Sequence, residues 1–201
     1  MELLIRDNYF ENPDLLRDYA LSLDSYREHS DLVAWKGKRS LPFKLENTLC
    51  LCCNKPVKHT TEIDKLINLE SERILSDSIN YFNLYEKYPS EEITITSFFH
   101  LNEQDSRDYF ENFSHDKFHQ DYGCYAAGVV YLTPNPDSTS GTSILDGKNE
   151  RIVRVENKYN RLVCYESFLL HAPSNFFGDC ENNARMTFTF FIHPSSLLIH
   201  S

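Results

Sequence analysis

The sequence predicts an α+β protein in which helices buttress a two-sheet jelly roll. Helical patterns lie in the first ninety or so residues, and short strand patterns follow one another from Glu92 onwards. Short strands at this rhythm, coming after helices, are typical of sheets that pack face to face. The 201 residues are 41% hydrophobic and 13% aromatic. That is enough for one well-buried core and too little for two of ordinary size.

The amino-terminal part begins with a short predicted strand, Leu3–Ile5. A helix is then expected from the motif Asn12–Asp14 to about Leu23. Proline suits an early helical position because its missing N–H would have no partner there, and an acidic side chain in the first turn interacts favourably with the helix dipole. We expect this helix to support a sheet.

The longest helical pattern covers residues 61–86. It opens with the motif Thr61–Asp64, whose first hydroxyl and last carboxylate suit a capping box. Apolar side chains then recur at the spacing of one helix face, which indicates that the helix packs against a core. These side chains are Ile63, Leu66, Ile67, Ile74, Ile79 and Phe82.

Short strands are expected in the second half of the chain, at Ile93–Phe99, Cys124–Leu132, Thr142–Leu145, Arg151–Val155, Leu162–Tyr165 and Arg185–Ile192. The last strand alternates between two kinds of side chain. Its two faces carry Arg185, Thr187 and Thr189 on one side and Met186, Phe188 and Phe190 on the other. A cation and hydroxyls therefore line one surface of this strand, while apolar groups pack the other.

Three side chains in this region form a candidate metal site. His119 and Asp121 are two residues apart, so in an extended strand they point to the same side while Gln120 faces away. His171 closes the apolar run 161–170, which has the residue types of a buried strand. Two imidazoles and a carboxylate fill half of an octahedral shell and leave the opposite face open. This donor set suits non-haem Fe(II) that acts on O₂.

From about Ile93 to Ile192 these motifs resemble the Fe(II)- and 2-oxoglutarate-dependent dioxygenases, especially their prolyl-hydroxylase-like branch. The shared pattern is a His-x-Asp pair, a distal histidine, and a basic residue on the strand after it. The resemblance implies that His119, Asp121 and His171 hold the iron and act as the catalytic centre.

The resemblance also implies how 2-oxoglutarate binds. Arg185 matches the basic residue that grips the C5 carboxylate, and the donor fork of a guanidinium fits a carboxylate bidentately. Thr187 resembles the hydroxyl that often accompanies it, and Tyr131 resembles a tyrosine that bonds the same carboxylate. The segment Ser140–Leu145 resembles the family's glycine-rich turn, with one glycine where two are common.

For the whole chain, the resemblance implies one oxygenase domain over residues 1–201. A double-stranded β-helix core, of the jelly-roll or cupin-like kind, is expected over 92–192, with a supporting helical part over 1–91 and a tail over 193–201. The implied cofactors are Fe(II), 2-oxoglutarate as co-substrate and O₂, with ascorbate as a supporting reductant. The expected reaction is hydroxylation of a small molecule, peptide or protein, with prolyl or amino-acid substrates slightly favoured.

Other interpretations of these residues stay open. A cupin-like protein could bind a metal or a small ligand without turnover, and a zinc hydrolase could use the same three ligands. Neither needs a dicarboxylate anchor, so Arg185 discriminates between the classes. His115 is interpreted as solvent-facing or substrate-side because no carboxylate stands two positions after it, and Cys50–Cys53, with His59 nearby, as thiols rather than a zinc site.

The formal net charge of −10 disfavours nucleic-acid partners, since their binding generally needs a basic surface. The segment Trp35–Arg39 is a local basic exception, either a solvated turn or part of the mouth of the active site. No apolar stretch approaches the ~18 residues of a membrane span, and the first residues lack a signal-peptide pattern. Six cysteines without framework spacing agree with a reducing compartment. We expect a cytoplasmic protein without a membrane partner, and the oligomeric state stays open.

Overall fold

The computed structural model describes residues 1–23, 26–28, 37–45, 61–103, 118–147 and 151–196. Several predictions concern residues outside these ranges. They are those on Trp35 and Lys36, Cys50–Cys53, His59 and His115.

The described residues form the following strands: β1 Leu3–Arg6, β2 Tyr26–Glu28, β3 Lys38–Ser40, β4 Phe43–Lys44, β5 Ile93–Asn102, β6 Ala126–Tyr131, β7 Gly141–Asp146, β8 Arg151–Glu156, β9 Leu162–Glu166, β10 His171–Ser174 and β11 Arg185–Pro194. They build two antiparallel sheets. The larger sheet has the order β1-β9-β6-β11-β5-β3-β2, and β4 pairs with β5 beside this path. The smaller sheet has the order β10-β7-β8.

Three helices accompany the sheets: α1 Pro13–Ser22, α2 Glu62–Phe82 and α3 Leu84–Lys87. The capping box predicted at the start of α2 is confirmed. The Thr61 hydroxyl accepts a hydrogen bond from the Asp64 N–H, and the Asp64 carboxylate accepts one from the Thr61 N–H. The pattern expected to run to residue 86 is broken at Asn83, whose left-handed conformation, with φ of 52°, ends α2.

One apolar core lies between the helices and the outer face of the larger sheet. Phe188 of β11 shows how it is built. Its ring packs edge-on against Phe99 of β5, with ring centroids 5.4 Å apart, and against Phe10, at 5.6 Å. Buried side chains of α1 and α2, such as Leu16 and Ile74, complete this layer. The predicted apolar face of the last strand therefore anchors the sheet to the helices.

A second, smaller core lies between the two sheets. Its members come from β6, β7, β8 and β9, and they are Ala127, Val129, Tyr131, Ile144, Val155, Val163 and Tyr165. One hydrogen bond of 2.7 Å crosses this layer, between the Tyr131 hydroxyl and Thr142 Oγ1. The predicted α+β architecture with two face-to-face sheets is thus confirmed. No helix in the described ranges has both the length and the apolar content needed to span a membrane.

The strands of the structure differ from the predicted strands in length and in number. The strands β5 and β11 contain ten residues each, so they are longer than the short strands expected here. The strands β2, β3, β4 and β10 were not predicted. The first three extend the larger sheet with two or three residues each, and β10, with four residues, belongs to the smaller sheet. Such short strands carry too few alternations for a pattern of period two to be recognised.

Candidate metal centre

The histidines of the predicted metal site meet in one isolated β-bridge. The N–H of His119 donates to the carbonyl of His171, and the N–H of His171 donates to the carbonyl of His119, each at 3.0 Å. The Asp121 N–H donates to the Ser167 carbonyl, also at 3.0 Å. Two details of the prediction are wrong: His119 and Asp121 lie outside any regular strand, and His171 begins β10 rather than closing the preceding strand.

Their side chains converge on one point. One ligand atom from each of His119, Asp121 and His171 can be chosen so that all three lie within 4.8 Å of one another. Asp121 Oδ2 is 3.2 Å from His171 Nε2, and Asp121 Oδ1 is 3.7 Å from His119 Nε2. Two imidazole nitrogens and a carboxylate at this separation fit a divalent first-row metal ion.

The surroundings of the two imidazoles differ. The Nδ1 atom of His171 lies 2.9 Å from the Leu169 carbonyl oxygen, so it donates there and its Nε2 lone pair is left for an ion. The side chain of His171 is 6% exposed, whereas that of His119 is 52% exposed. The three-residue group is therefore anchored on its buried side and open on the side of His119.

Tyr165 is a residue of this site that was not singled out from the sequence. Its ring centroid is 4.4 Å from that of His171, so it packs against the buried ligand ring. Burial raises the pKa of its hydroxyl well above the ordinary value, and the charge of Asp121 acts in the same direction. The alternation in β9, where Leu162 and Cys164 face the helices, was the signal that could have indicated it.

Arg185 lies buried between the sheets, with 4% of its surface exposed. Its guanidinium carbon is 5.5 Å from the ring centroid of Tyr131 and 6.0 Å from that of Phe176. Burial lowers the pKa of this guanidinium, and a hydrogen bond with Tyr131 acts in the opposite direction. Among the described residues, nothing accepts a hydrogen bond from its Nε atom. A buried cation with a donor to spare is a site that fits a carboxylate.

Tyr131 and Thr187 share the inner face of the larger sheet with Arg185. They stand directly opposite each other in the β6–β11 register, and both are fully buried. The Thr187 hydroxyl lies 3.0 Å from that of Thr189. Burial raises the pKa of Tyr131, so its hydroxyl stays protonated and can donate. The structure thus brings together the three residues that the resemblance singled out for 2-oxoglutarate.

The segment Asn175–Asn183, between β10 and β11, is packed into the protein in part. Phe176 is 2% exposed and Phe177 is 9% exposed. The Phe176 ring is near the guanidinium of Arg185, so this segment contributes to the buried surroundings of that cation.

Two cations of the basic segment Trp35–Arg39 are described, Lys38 and Arg39, and they face opposite sides of the larger sheet. Arg39 stands opposite His100 in the β3–β5 register, and its guanidinium carbon lies 4.1 Å from the ring centroid of Phe98. Lys38 stands opposite Leu101, which belongs to the outer core, and its ammonium is 2.8 Å from Glu181. Thus Arg39 faces the space between the sheets, and Lys38 does not.

Comparison with known proteins supports this architecture. No protein-family model and no curated protein sequence matches the chain. Among solved structures, the Pseudomonas putida prolyl-4-hydroxylase superposes with a TM-score of 0.58 at 11% identity, over 96% of this chain and 92% of that one. A full-length Neurospora crassa protein in complex with alpha-KG, which is 2-oxoglutarate, superposes with a TM-score of 0.57 at 8% identity, over 96% and 75%. The fold is a double-stranded β-helix.

A third solved structure has the same double-stranded β-helix. It is a Trichoplax adhaerens prolyl hydroxylase in complex with a peptide fragment of hypoxia inducible factor, with a TM-score of 0.54 at 11% identity, over 96% of this chain and 83% of that one. At this level of identity, the comparisons establish the fold alone. The predicted jelly-roll core with supporting helices is confirmed, and the chemistry has to be argued from the site.

Proposed function

We propose that this protein is an Fe(II)- and 2-oxoglutarate-dependent dioxygenase that hydroxylates a C–H bond of its substrate. The observation that carries the proposal is the presence of two sites between the sheets. One is the group of His119, Asp121 and His171, and the other is the buried guanidinium of Arg185. The solved hydroxylase structures with this fold agree with an enzyme of this general kind.

In this proposal, His119, Asp121 and His171 hold the iron. The Leu169 carbonyl orients the His171 ring and keeps its Nε2 lone pair directed at the ion. Asp121 contributes the one negative charge of the ligand set, which offsets half of the charge of a divalent ion. Since the His119 side chain is half exposed, the coordination positions on that side stay accessible to further ligands.

The C5 carboxylate of 2-oxoglutarate would be held by Arg185, Tyr131 and Thr187. The Arg185 Nε donor has no other described partner, and a carboxylate would satisfy it. The Tyr131 hydroxyl is protonated and lies near the guanidinium, so it can add a second donor. Both residues are buried, so little water competes for the carboxylate.

Iron and 2-oxoglutarate, when bound, would supply the oxidative chemistry: O₂ is consumed, 2-oxoglutarate becomes succinate and CO₂, and one oxygen atom enters a substrate C–H bond. The residues of this chain bind, orient and exclude water. The proposed enzyme consists of one oxygenase domain over residues 1–201, with its jelly-roll core over 92–192. We propose a small molecule or a peptide as substrate, and ascorbate as a supporting reductant.

The two other interpretations have less support. A metal-binding cupin without turnover and a zinc hydrolase would both use His119, Asp121 and His171. Neither interpretation gives a role to Arg185. Burying the charge of its guanidinium costs free energy, and a carboxylate that pairs with the guanidinium would offset this cost. The oxygenase accounts for both sites with one ligand that spans them.

The decisive experiment measures succinate formed from 2-oxoglutarate in air, with Fe(II) and ascorbate and without any added substrate. We expect slow turnover in the wild type and none in His171→Ala, which lacks a metal ligand. The matched control is His193→Gln, because His193 is a buried histidine that is not among the proposed metal ligands, and its Nε2 lies 3.0 Å from Thr96 Oγ1. This control should keep the turnover of the wild type.

Calorimetry without oxygen separates binding from turnover, with Mn(II) in place of Fe(II). We expect Asp121→Ala to lose Mn(II) binding and Arg185→Ala to keep Mn(II) while losing 2-oxoglutarate. Absence of 2-oxoglutarate binding in the metal-loaded wild type would contradict the oxygenase proposal. Mn(II) binding that persists in that case would instead favour the metal-binding cupin.

A further inference from the structure

We propose that Arg39 binds a carboxylate of the prime substrate, so that the substrate is a free carboxylic acid of small size, such as an amino acid. This inference rests on the proposed function, because it concerns the substrate that would bind beside the metal ion and 2-oxoglutarate. It assigns a role to Arg39 of the basic segment Trp35–Arg39, whose role the sequence left open.

The position of Arg39 is the first argument. In the β3–β5 register it stands opposite His100, and His100 stands opposite Thr187 in the β5–β11 register. Residues directly opposite each other in antiparallel strands share a face, so Arg39 and Thr187 lie on the same inner face of the larger sheet. With about 4.8 Å between neighbouring strands, their backbones are roughly 10 Å apart. Arg39 therefore faces the same space between the sheets as the proposed 2-oxoglutarate site and lies beside that site.

The charge of Asp121 acts on the guanidinium of Arg39. Burial lowers the pKa of Arg39 to about 9, and the charge of Asp121 acts in the opposite direction. A substrate carboxylate bound to Arg39 would lie in the space between the sheets that the proposed co-substrate site also faces.

Phe98 prepares the guanidinium for a planar ligand. The Arg39 guanidinium carbon lies over the Phe98 ring at 4.1 Å, and this contact restricts the orientations of the donor fork. A fork whose orientation is already set loses less conformational entropy when it binds a carboxylate. A carboxylate would bind to the N–H groups at the edge of the guanidinium, while the Phe98 ring packs against its face.

The charges around Arg39 favour an anionic substrate. Along β3, β5, β6 and β11, all of which the structure describes, the inner face carries no Asp or Glu side chain. In the loaded site, the ion's two positive charges and that of Arg185 would balance the carboxylate of Asp121 and the two carboxylates of 2-oxoglutarate. The loaded site would therefore not repel one further carboxylate, and Arg39 would attract it.

The backbone beside Arg39 is adapted to this placement. Gly37 adopts φ of 89°, and a Cβ atom there would lie 2.2 Å from the Leu101 carbonyl oxygen. Only glycine allows so close an approach of the chain to β5. This approach lies next to the start of β3, where the register with β5 directs Arg39 inward and Lys38 outward.

The test uses protein loaded with Mn(II) and 2-oxoglutarate under anaerobic conditions. The probes are the twenty standard L-amino acids, each compared with its carboxamide, and the readout is the shift in melting temperature followed by calorimetry of the compounds that bind. We expect at least one free acid to bind while its carboxamide does not. In Arg39→Ala, the Kd of that acid should rise by about tenfold or more, the loss of one charge-assisted contact.

Two further variants, compared with Arg39→Ala, make the outcome unambiguous. Lys38→Ala removes the neighbouring cation, which faces away, and should bind the acid as the wild type does. Arg39→Lys keeps a cation but loses the fork, so its affinity should fall between those of wild type and Arg39→Ala. It also serves if Arg39→Ala does not fold. In both Arg39 variants the Kd of 2-oxoglutarate should stay within about twofold of wild type.

Several results would overturn the inference. One is that none of the free acids binds to the wild type, and another is that acid and carboxamide bind equally. A third is equal affinity of wild type and Arg39→Ala for the acid, which would leave Arg39 a structural role in joining β3 to β5. A fourth is loss of 2-oxoglutarate binding in Arg39→Ala, which would make Arg39 the co-substrate anchor. Failure of the proposed function looks different, because then the wild type does not bind 2-oxoglutarate at all.

Discussion

His119 and His171 exchange both of their backbone hydrogen bonds, with N–O distances of 3.0 Å in each direction, and their ring centroids lie 4.4 Å apart. Because main-chain groups make this bridge, the two side chains are brought together without occupying their Nε2 atoms. The metal ligands are thus positioned by the same kind of interaction that builds the sheets. It follows that ligand side chains can be replaced with little effect on the fold, whereas contacts that hold the bridge segment should affect metal affinity.

The side chain of Gln120 provides such a contact. It donates to the Phe168 carbonyl, so it ties the ligand segment to the turn before His171. In Gln120→Ala we expect the Kd for Mn(II) to rise about fivefold, the value of one hydrogen bond of ~1 kcal/mol. Calorimetry measures this change. Asn68→Ala, which removes an amide bonded to Glu72 on α2, is the control and should bind Mn(II) normally. Equal affinities of both variants and wild type would show that the bridge needs no support from this side chain.

Tyr131 joins the two sheets and approaches Arg185, so its hydroxyl should serve both stability and co-substrate binding. In Tyr131→Phe we expect the Kd of 2-oxoglutarate to rise about tenfold, because one donor near the guanidinium is lost. Thr142→Val removes the partner of the 2.7 Å hydrogen bond but leaves the Tyr131 hydroxyl in place. It should lower the melting temperature while changing the 2-oxoglutarate Kd less. If both variants weaken 2-oxoglutarate equally, the effect comes from the link between the sheets and not from a contact with the ligand.

His193 should make the unfolding free energy depend on pH. Burial lowers its pKa below the ordinary 6.5, the nearby charge of Lys44 lowers it further, and the Pro194 carbonyl acts in the opposite direction. The folded state therefore favours the neutral ring. This contribution is fully present above pH 6.5 and is lost as the pH falls from 6.5 through the pKa of the folded state. Urea unfolding between about pH 7.5 and pH 5 measures it, and wild type should lose more stability over this range than His193→Gln. If the unfolding free energies of the two proteins fall equally with pH, His193 is not the source of the pH dependence.

Gly128 should be required for the close packing of β6. A Cβ atom there would lie 2.2 Å from the Val163 carbonyl oxygen and 2.6 Å from Cζ of Phe190, so β6 and its neighbours would have to move. We expect Gly128→Ala to reduce the unfolding free energy by about 1–3 kcal/mol, as overpacking commonly does. The control is Gly147→Ala, where a Cβ would meet no described atom within 4 Å. It should change stability by less than about 0.5 kcal/mol. Chemical denaturation distinguishes the two, and similar values would mean that β6 can shift at no cost.

Much of the fold could be predicted because its signals are local. The capping box at Thr61, proline in the first turn of α1 and the alternation along β11 each depend on residues a few positions apart, and the structure confirms all three. The break after α2 was missed, since a left-handed Asn83 is permitted by the sequence but is not required by it. The three-residue strands were missed because they contain too little pattern to detect.

The kinds of side chain available to the site follow from the sequence alone: two imidazoles and a carboxylate that suit a metal, and a guanidinium with hydroxyls that suit a carboxylate. The face of β11 that each side chain occupies also follows from it, because the alternation of a strand is a property of the chain. The tertiary fold was needed to show that His119 meets His171 and that Arg39 faces the same space as Arg185. It likewise brought Tyr165 against the ligand ring. These are pairings of distant segments, and the register of hydrogen bonds between strands sets them, which residues near in sequence cannot specify.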